Sequence, residues 1–167
     1  MRAGHINCFI ASVKNVFTTM LETDVTVSKP RLGTDGKSIH DVRGIIALSG
    51  DVAGSVILSF PSRTAARAVE AFAGMRFEQD TDEFSDAIGE LANMVAGNAK
   101  KDFDGLDIHI SVPTVIIGQG HQLGRNPLGP WIILECNSRL GMFELEVCVL
   151  EVAAVQAKGG THASSCR

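Results

Sequence analysis

Tyrosine is absent from this 167-residue sequence, tryptophan occurs once, and the lysines and arginines form no cluster within a net charge of −4. A nucleic-acid surface built from basic and stacking side chains is thereby excluded. Long hydrophobic runs are also missing. Stretches such as 112–118 and 131–134 are strand-length, far short of the roughly 20 residues a membrane-spanning helix needs, so a soluble chain with no membrane partner is expected. Residues 1–7 show no apolar segment followed by a small-residue cleavage site, so the expected location is cytoplasmic. The cysteines, Cys8, Cys136, Cys148 and Cys166, are scattered, with no Cys-x-x-Cys pair and no histidine at ligand spacing. Neither a zinc site nor a disulfide framework is signalled, and buried reduced thiols are the expectation.

What remains is a chain with 45% hydrophobic residues, long enough for one domain with a real core. Phe9, Val13, Val16, Phe17 and Met20 recur at three- and four-residue steps, which predicts an amphipathic helix over 9–21. Strands are expected at 25–27, 42–48 and 52–60, the last two joined across Ser49-Gly50-Asp51. Pro61-Ser62 opens a helix with Ala65, Ala68, Val69 and Phe72 on one side, stopped at Gly74. Asp80 to Glu83 supply a cap and an acidic first turn for a further helix reaching about Phe103. Strands at 108–117, 131–136 and 142–152 follow. In the last, Phe143, Leu145, Val147 and Val149 alternate with Glu144 and Glu146, which predicts one packed and one wet face. The glycine- and proline-rich stretch 118–130 reads as a surface loop and 157–167 as a flexible tail.

Both halves run helix, strand and then a hairpin of longer strands. Ile45-Ile46 and Ile132-Ile133 begin matching strands, with Gly54 and Gly141 nine residues after the first isoleucine of each pair. The expected architecture is a pseudo-twofold α/β (α+β) domain over residues 1–156, with halves at about 7–77 and 80–153.

The helix that begins near Asp82 has two faces. At about 100° per residue, Phe84, Ile88, Leu91 and Val95 share one arc, expected to be buried, and Asp86, Glu90, Asn93 and Gly97 share another on nearly the opposite side, expected to be a polar, exposed face. Polar helix faces are commonly plain solvated surface. Two features set this one apart: asparagine is a mediocre helix former, and Gly89 and Gly97 each cost roughly 1 kcal/mol relative to alanine in a helix interior. Low-bulk glycines beside a carboxylate and an amide leave room for another macromolecule's backbone, so Asp86, Gly89 and Gly97 are read as partner-binding positions.

Residues 85–99, Ser-Asp-Ala-Ile-Gly-Glu-Leu-Ala-Asn-Met-Val-Ala-Gly-Asn-Ala, resemble the active-site helix of the CheC/CheX/FliY chemotaxis phosphatases. That pattern is Asp or Ser, three residues, Glu, two residues, Asn and a distant Pro, and Asp86, Glu90 and Asn93 fit it in register. Residues 9–20 resemble the first helix of CheX-type members and 112–118 the strand after the active-site helix, so the resemblance runs over roughly 7–152. CheC-type members carry the Glu and Asn on both related helices. Here, aligning Asn15 with Asn93 puts Ser12 where the acid would stand, so one site per chain is expected, as in CheX-type members. The interval from Asn93 to Pro113 is shorter than the family's usual one. This bears on loop geometry, and Pro113 is read as structural.

The resemblance implies a CheC-like fold with helices on a mostly antiparallel sheet, and a phosphatase hydrolysing the aspartyl phosphate of a response-regulator receiver domain. Asn93 would position the attacking water, Glu90 would dock to the receiver's lysine, and Asp86 would support them from the rim. No cofactor of the chain's own is implied; Mg²⁺ would come with the phosphorylated receiver. A homodimer is also implied. Two other readings stand beside this one: a non-enzymatic adaptor for a receiver or a flagellar-switch component, and an idle domain dimerising through a sheet edge at 142–152. His5, His40, His109, His121 and His162 are dispersed with no nucleophile motif, Gly118 to Gly124 lacks the Lys-Ser/Thr of a phosphate loop, and Arg125-Asn126 are candidates for the partner surface.

Overall fold

A computed structural model describes residues 3–33, 40–103, 105–118 and 129–152. Arg125, Asn126, His121, His162, Cys166, most of the loop expected at 118–130 and the tail expected at 157–167 lie outside the described residues. The elements run α1 (Ala3–Met20), β1 (Thr26–Val27), β2 (Arg31–Gly33), β3 (Val42–Gly50), β4 (Val52–Phe60), α2 (Ser62–Ala73), α3 (Asp82–Lys101), β5 (Ile108–Ile110), β6 (Thr114–Ile117), β7 (Trp131–Ser138) and β8 (Gly141–Glu151). No helix among the described residues is long and apolar enough to cross a membrane.

All eight strands join one antiparallel sheet in the order β1-β7-β8-β4-β3-β5, with β2 also on β7 and β6 also on β3. The hairpins β3–β4 and β7–β8 meet at the centre through β4 and β8. Each half lends its short strands to the other: β1 and β2, which follow α1, pair with β7, while β5 and β6, which follow α3, pair with β3. The pseudo-twofold arrangement thus interlocks the halves around a shared core. Val13, Val16 and Phe17 of α1, Ala65, Ala68 and Val69 of α2, and Phe84, Ile88, Leu91 and Val95 of α3 pack there with Val42, Ile46, Leu58, Phe60, Leu134, Phe143 and Leu145 of the sheet.

The halves repeat a second feature. Ser111, Val112 and Pro113, between β5 and β6, stand opposite only Ile46 and Ala47 of β3. Ser28, Lys29 and Pro30, between β1 and β2, stand opposite only Leu134 and Glu135 of β7. Three residues against two is a β-bulge, a place where proline's missing N–H costs no ladder bond. Each bulge is pinned alike. The Ser111 N–H donates to the Ala47 carbonyl at 3.0 Å and the Ser28 N–H to the Glu135 carbonyl at 2.9 Å. Each serine hydroxyl donates to the next residue's carbonyl, at 2.7 Å for Ser111 and 3.4 Å for Ser28.

Several expectations change. The helix expected from residue 9 starts at Ala3, β2 was not anticipated, and the strand expected over 108–117 is divided by the bulge. Gly54 and Gly141 do different jobs: Gly54 lies within β4, where a Cβ would come within 1.9 Å of the Cys148 carbonyl oxygen, whereas Gly141 opens β8 at a φ of 132°. The second face of β8 is not wet. Glu144 and Glu146 are 5% and 4% exposed, and Glu144 bonds the Arg31 guanidinium and faces the buried His40 imidazole at 3.7 Å. Alternation separates two faces without saying which meets water. Nor is β8 an edge, since β7 and β4 flank it, so sheet-edge pairing through 142–152 is ruled out. The expected thiol burial holds for Cys136 and Cys148; Cys8 is half-buried. Desolvation pushes the Cys136 thiol up to about 12.

Candidate functional site

α3 forms where the sequence places it. The Thr81 hydroxyl accepts from the Phe84 N–H at 3.3 Å, Asp82 and Glu83 sit in the positive first turn, and Lys100 and Lys101 in the negative last turn. Its apolar side is sealed: Phe84, Ile88, Leu91, Val95 and Ala99 are fully buried. Burial of that stripe fixes the helix's rotation and therefore the direction in which its polar side points.

Close packing fixes its height above the sheet. Gly44 of β3 lies directly beneath α3, and a Cβ there would come within 2.8 Å of the Ala92 Cβ and 3.0 Å of the Ile88 carbonyl oxygen. Ser12 adds a lateral tie from α1. Its buried hydroxyl donates to the Val95 carbonyl at 2.6 Å, so the residue standing where a second acid would be is a strut between the two long helices. Asn15, the counterpart of Asn93, is exposed on α1 without a neighbouring acid on that turn.

On the outer side of α3, Asp86 and Glu90 are exposed and Gly97 is half-buried. Asn93, expected to be exposed, is also half-buried. The Asn93 Nδ2 donates to Glu90 Oε2 at 3.4 Å, so the carboxylate and amide form one unit on successive turns. Ser85, Asp86, Gly89 and Glu90 line one side of an open groove of about 500 Å³, and Pro113 and Val115 line the other. No group of three or more His, Cys, Asp or Glu residues suited to a metal occurs among the described residues.

The two glycines differ. Gly89 is buried, and a Cβ on it would stand 3.2 Å from Cβ and Cγ of Pro113 and 3.4 Å from Cγ2 of Val115. Its small size therefore admits this chain's own proline, where the sequence pattern suggested space for a partner's backbone. At Gly97 the nearest atom to a Cβ among the described residues outside α3 would be Ile110 Cδ1, at 3.8 Å, so those residues leave space there. Pro113, read as structural, does pack structurally, and that packing brings it across the groove from Glu90. Sequence reasoning did not connect the two bulges, though the repeated Ser-x-Pro of 28–30 and 111–113 is visible in the sequence.

A carboxylate and an amide on an exposed helix beside a shallow groove suit the docking of another protein and the holding of a water molecule, more than the enclosure of a small substrate. Residues 42–134 match the family model described as chemotaxis phosphatase CheX. A curated relative, the CheY-P phosphatase CheX of Thermotoga maritima, is 33% identical over 122 residues, covering 71% of this chain and 79% of that protein. Among solved structures, the chemotaxis protein CheX from Vibrio vulnificus is 32% identical with a TM-score of 0.80, covering 89% of this chain and 100% of that one. A chain of the CheX-CheY-BeF3-Mg²⁺ complex from Borrelia burgdorferi shares the fold at 22% identity and a TM-score of 0.73, covering 90% of this chain and 100% of that one. With more than half the chain inside the family model and a curated relative at this identity, the protein belongs to the CheX family of chemotaxis phosphatases.

Proposed function

We propose that this protein hydrolyses the aspartyl phosphate of a CheY-like receiver domain. The observation that carries the reading is the Glu90–Asn93 unit, held 3.4 Å apart on the open side of a helix whose other side is locked into the core. The relative from Thermotoga maritima is named a CheY-P phosphatase, and a protein of the same fold occurs in complex with CheY, BeF3 and Mg²⁺; both support the assignment.

The substrate brings the reactive bond and its own Mg²⁺, whose charge offsets the phosphoryl oxygens. The water oxygen forms a bond to phosphorus while the bond to the aspartyl oxygen breaks. The aspartate leaves as a carboxylate, and the water protons stay with the phosphate product or pass to solvent. A carboxylate needs no acid to leave, so the enzyme's task is to place the water in line. Asn93 does this: with Nδ2 engaged by Glu90, its Oδ1 accepts a hydrogen bond from the water and orients it. Glu90 also takes the ammonium of the receiver's lysine, so docking and water placement share one carboxylate. Asp86 lies one turn before Glu90 and adds negative charge on the docking rim, and Gly97 leaves room beyond Asn93.

The test charges a CheY-like receiver with a small phosphodonor and follows phosphate release. Asn93→Ala is expected to lose about 10²-fold in kcat, the range attributed to positioning. Glu90→Ala is expected to raise the half-saturating receiver concentration as well as lower kcat. Wild-type rates from Asn93→Ala would overturn the assignment.

A further inference from the structure

We propose that Val112 is an affinity-determining residue of the same site, an apolar knob that inserts against the phosphorylated receiver beside its acyl phosphate; this rests on the function proposed above. Val112 is 83% exposed, the most exposed large hydrophobic side chain among the described residues. It does not sit on a slack loop. The Ser111 N–H is bonded to the Ala47 carbonyl, the Ala47 N–H donates to Ser111 Oγ at 3.0 Å, and the Ser111 hydroxyl donates to the Val112 carbonyl. The next residue, Pro113, is pressed onto Gly89 and forms the groove wall opposite Glu90. The backbone of Val112 is thus pinned, and its chain neighbour Pro113 is a wall of the groove that Glu90 also lines.

The fold supplies an internal control. The other half builds the same bulge from Ser28, Lys29 and Pro30, with the same backbone bond and the same serine-to-carbonyl bond. At the tip it carries Lys29, which is exposed. The bulge geometry is therefore satisfied by a charged, water-compatible residue. Lysine stands in the half whose helix has Ser12 in place of the acid, and valine in the half that has Glu90 and Asn93. Local structure explains neither the valine nor its exposure; a partner surface that covers it during docking explains both. A preordered apolar side chain loses little entropy when covered, so its burial against a partner is kept as affinity.

The experiment compares wild type, Val112→Lys (which copies the other bulge), Val112→Leu and Asn93→Ala. Phosphate release is measured against the concentration of phosphorylated receiver, and equilibrium binding against receiver held in its active form by beryllofluoride and Mg²⁺. Val112→Lys is expected to raise both the half-saturating concentration and Kd about tenfold, the loss of one well-covered aliphatic contact, with kcat kept within about twofold. Val112→Leu is expected to stay within about twofold of wild type in all three. Unchanged half-saturation and Kd in Val112→Lys, alongside a collapsed kcat in Asn93→Ala, would overturn this inference and leave the proposed function standing. A loss in kcat alone would overturn it too. A wild-type protein that neither binds the receiver nor releases phosphate would remove the functional reading and this inference with it.

Discussion

Replacing Gly44 by alanine puts a methyl group where α3 already sits. Its Cβ would lie 2.8 Å from the Ala92 Cβ and 3.0 Å from the Ile88 carbonyl oxygen, whereas carbon atoms settle at about 3.5–4.0 Å. Either the helix rises from the sheet by about 0.7 Å or more, or β3 bends away from it. Neither neighbour is the free end of a long side chain, so the strain cannot be relieved by a rotamer change. Overpacking of this kind costs about 1–3 kcal/mol, which for a chain of this size lowers Tm by about 2–4 °C per kcal/mol. The functional effect is expected to exceed the effect on stability, because Ala92 is adjacent in sequence to Asn93 and water placement is sensitive to shifts near 1 Å, with losses approaching 10²-fold. Thermal melts and phosphate release read the two effects separately. Adding Ala92→Gly removes the 2.8 Å contact while costing roughly 1 kcal/mol in helix propensity. The double variant should therefore regain part of the lost turnover, the 3.0 Å contact with the Ile88 carbonyl remaining, and stay less stable than wild type. Wild-type Tm and kcat in Gly44→Ala would refute the claim that β3 sets the height of α3.

Ser12→Ala should lower unfolding free energy by about 1 kcal/mol through the lost bond to the Val95 carbonyl, with phosphatase activity retained; a large loss of activity without a change in stability would assign Ser12 to the chemistry instead. Burial lowers the His40 pKa from 6.5, with Arg43 adding to the effect and Glu144 and Asp41 opposing it. The unfolded chain then binds a proton that the folded protein refuses as pH drops below about 6.5, so stability should fall on acidification through that window. Melts at pH 7 and pH 5.5 should show a smaller loss in His40→Gln than in wild type, and equal losses would show that His40 is not the group responsible. Gly97→Leu should raise the half-saturating receiver concentration several-fold while the fold is kept, since among the described residues outside α3 only Ile110 comes within 4 Å of a Cβ placed there; unchanged affinity would remove Gly97 from the docking face.

Helix α3 is legible in the sequence because everything that defines it is local. The cap at Thr81, the acidic first turn and the 100° spacing of Phe84, Ile88, Leu91 and Val95 all lie within one segment, and they force Asp86, Glu90 and Asn93 to the other side. The spacing of Glu90 and Asn93 within that segment also carries the family resemblance. Residues far apart in sequence are not legible in the same way. Periodicity tells that Glu144 and Glu146 share a face, but only the approach of Arg31 and His40 to Glu144 shows that face to be closed. Proline at position 113 can be read as a strand break. That its ring fills the space above Gly89 and walls the groove opposite Glu90 depends on β6 pairing with β3 while α3 crosses above.

By itself, then, the sequence determined the helices, the hairpins and which residues of α3 lie on the side away from its buried stripe, because propensity and periodicity act over a few residues. Only the tertiary structure decided which strands each half gives to the other, what seals the second face of the sheet, and that the two Ser-x-Pro bulges are copies differing in a lysine and a valine. Those features arise from pairings between segments tens of residues apart, and no local pattern encodes which partner a strand will meet.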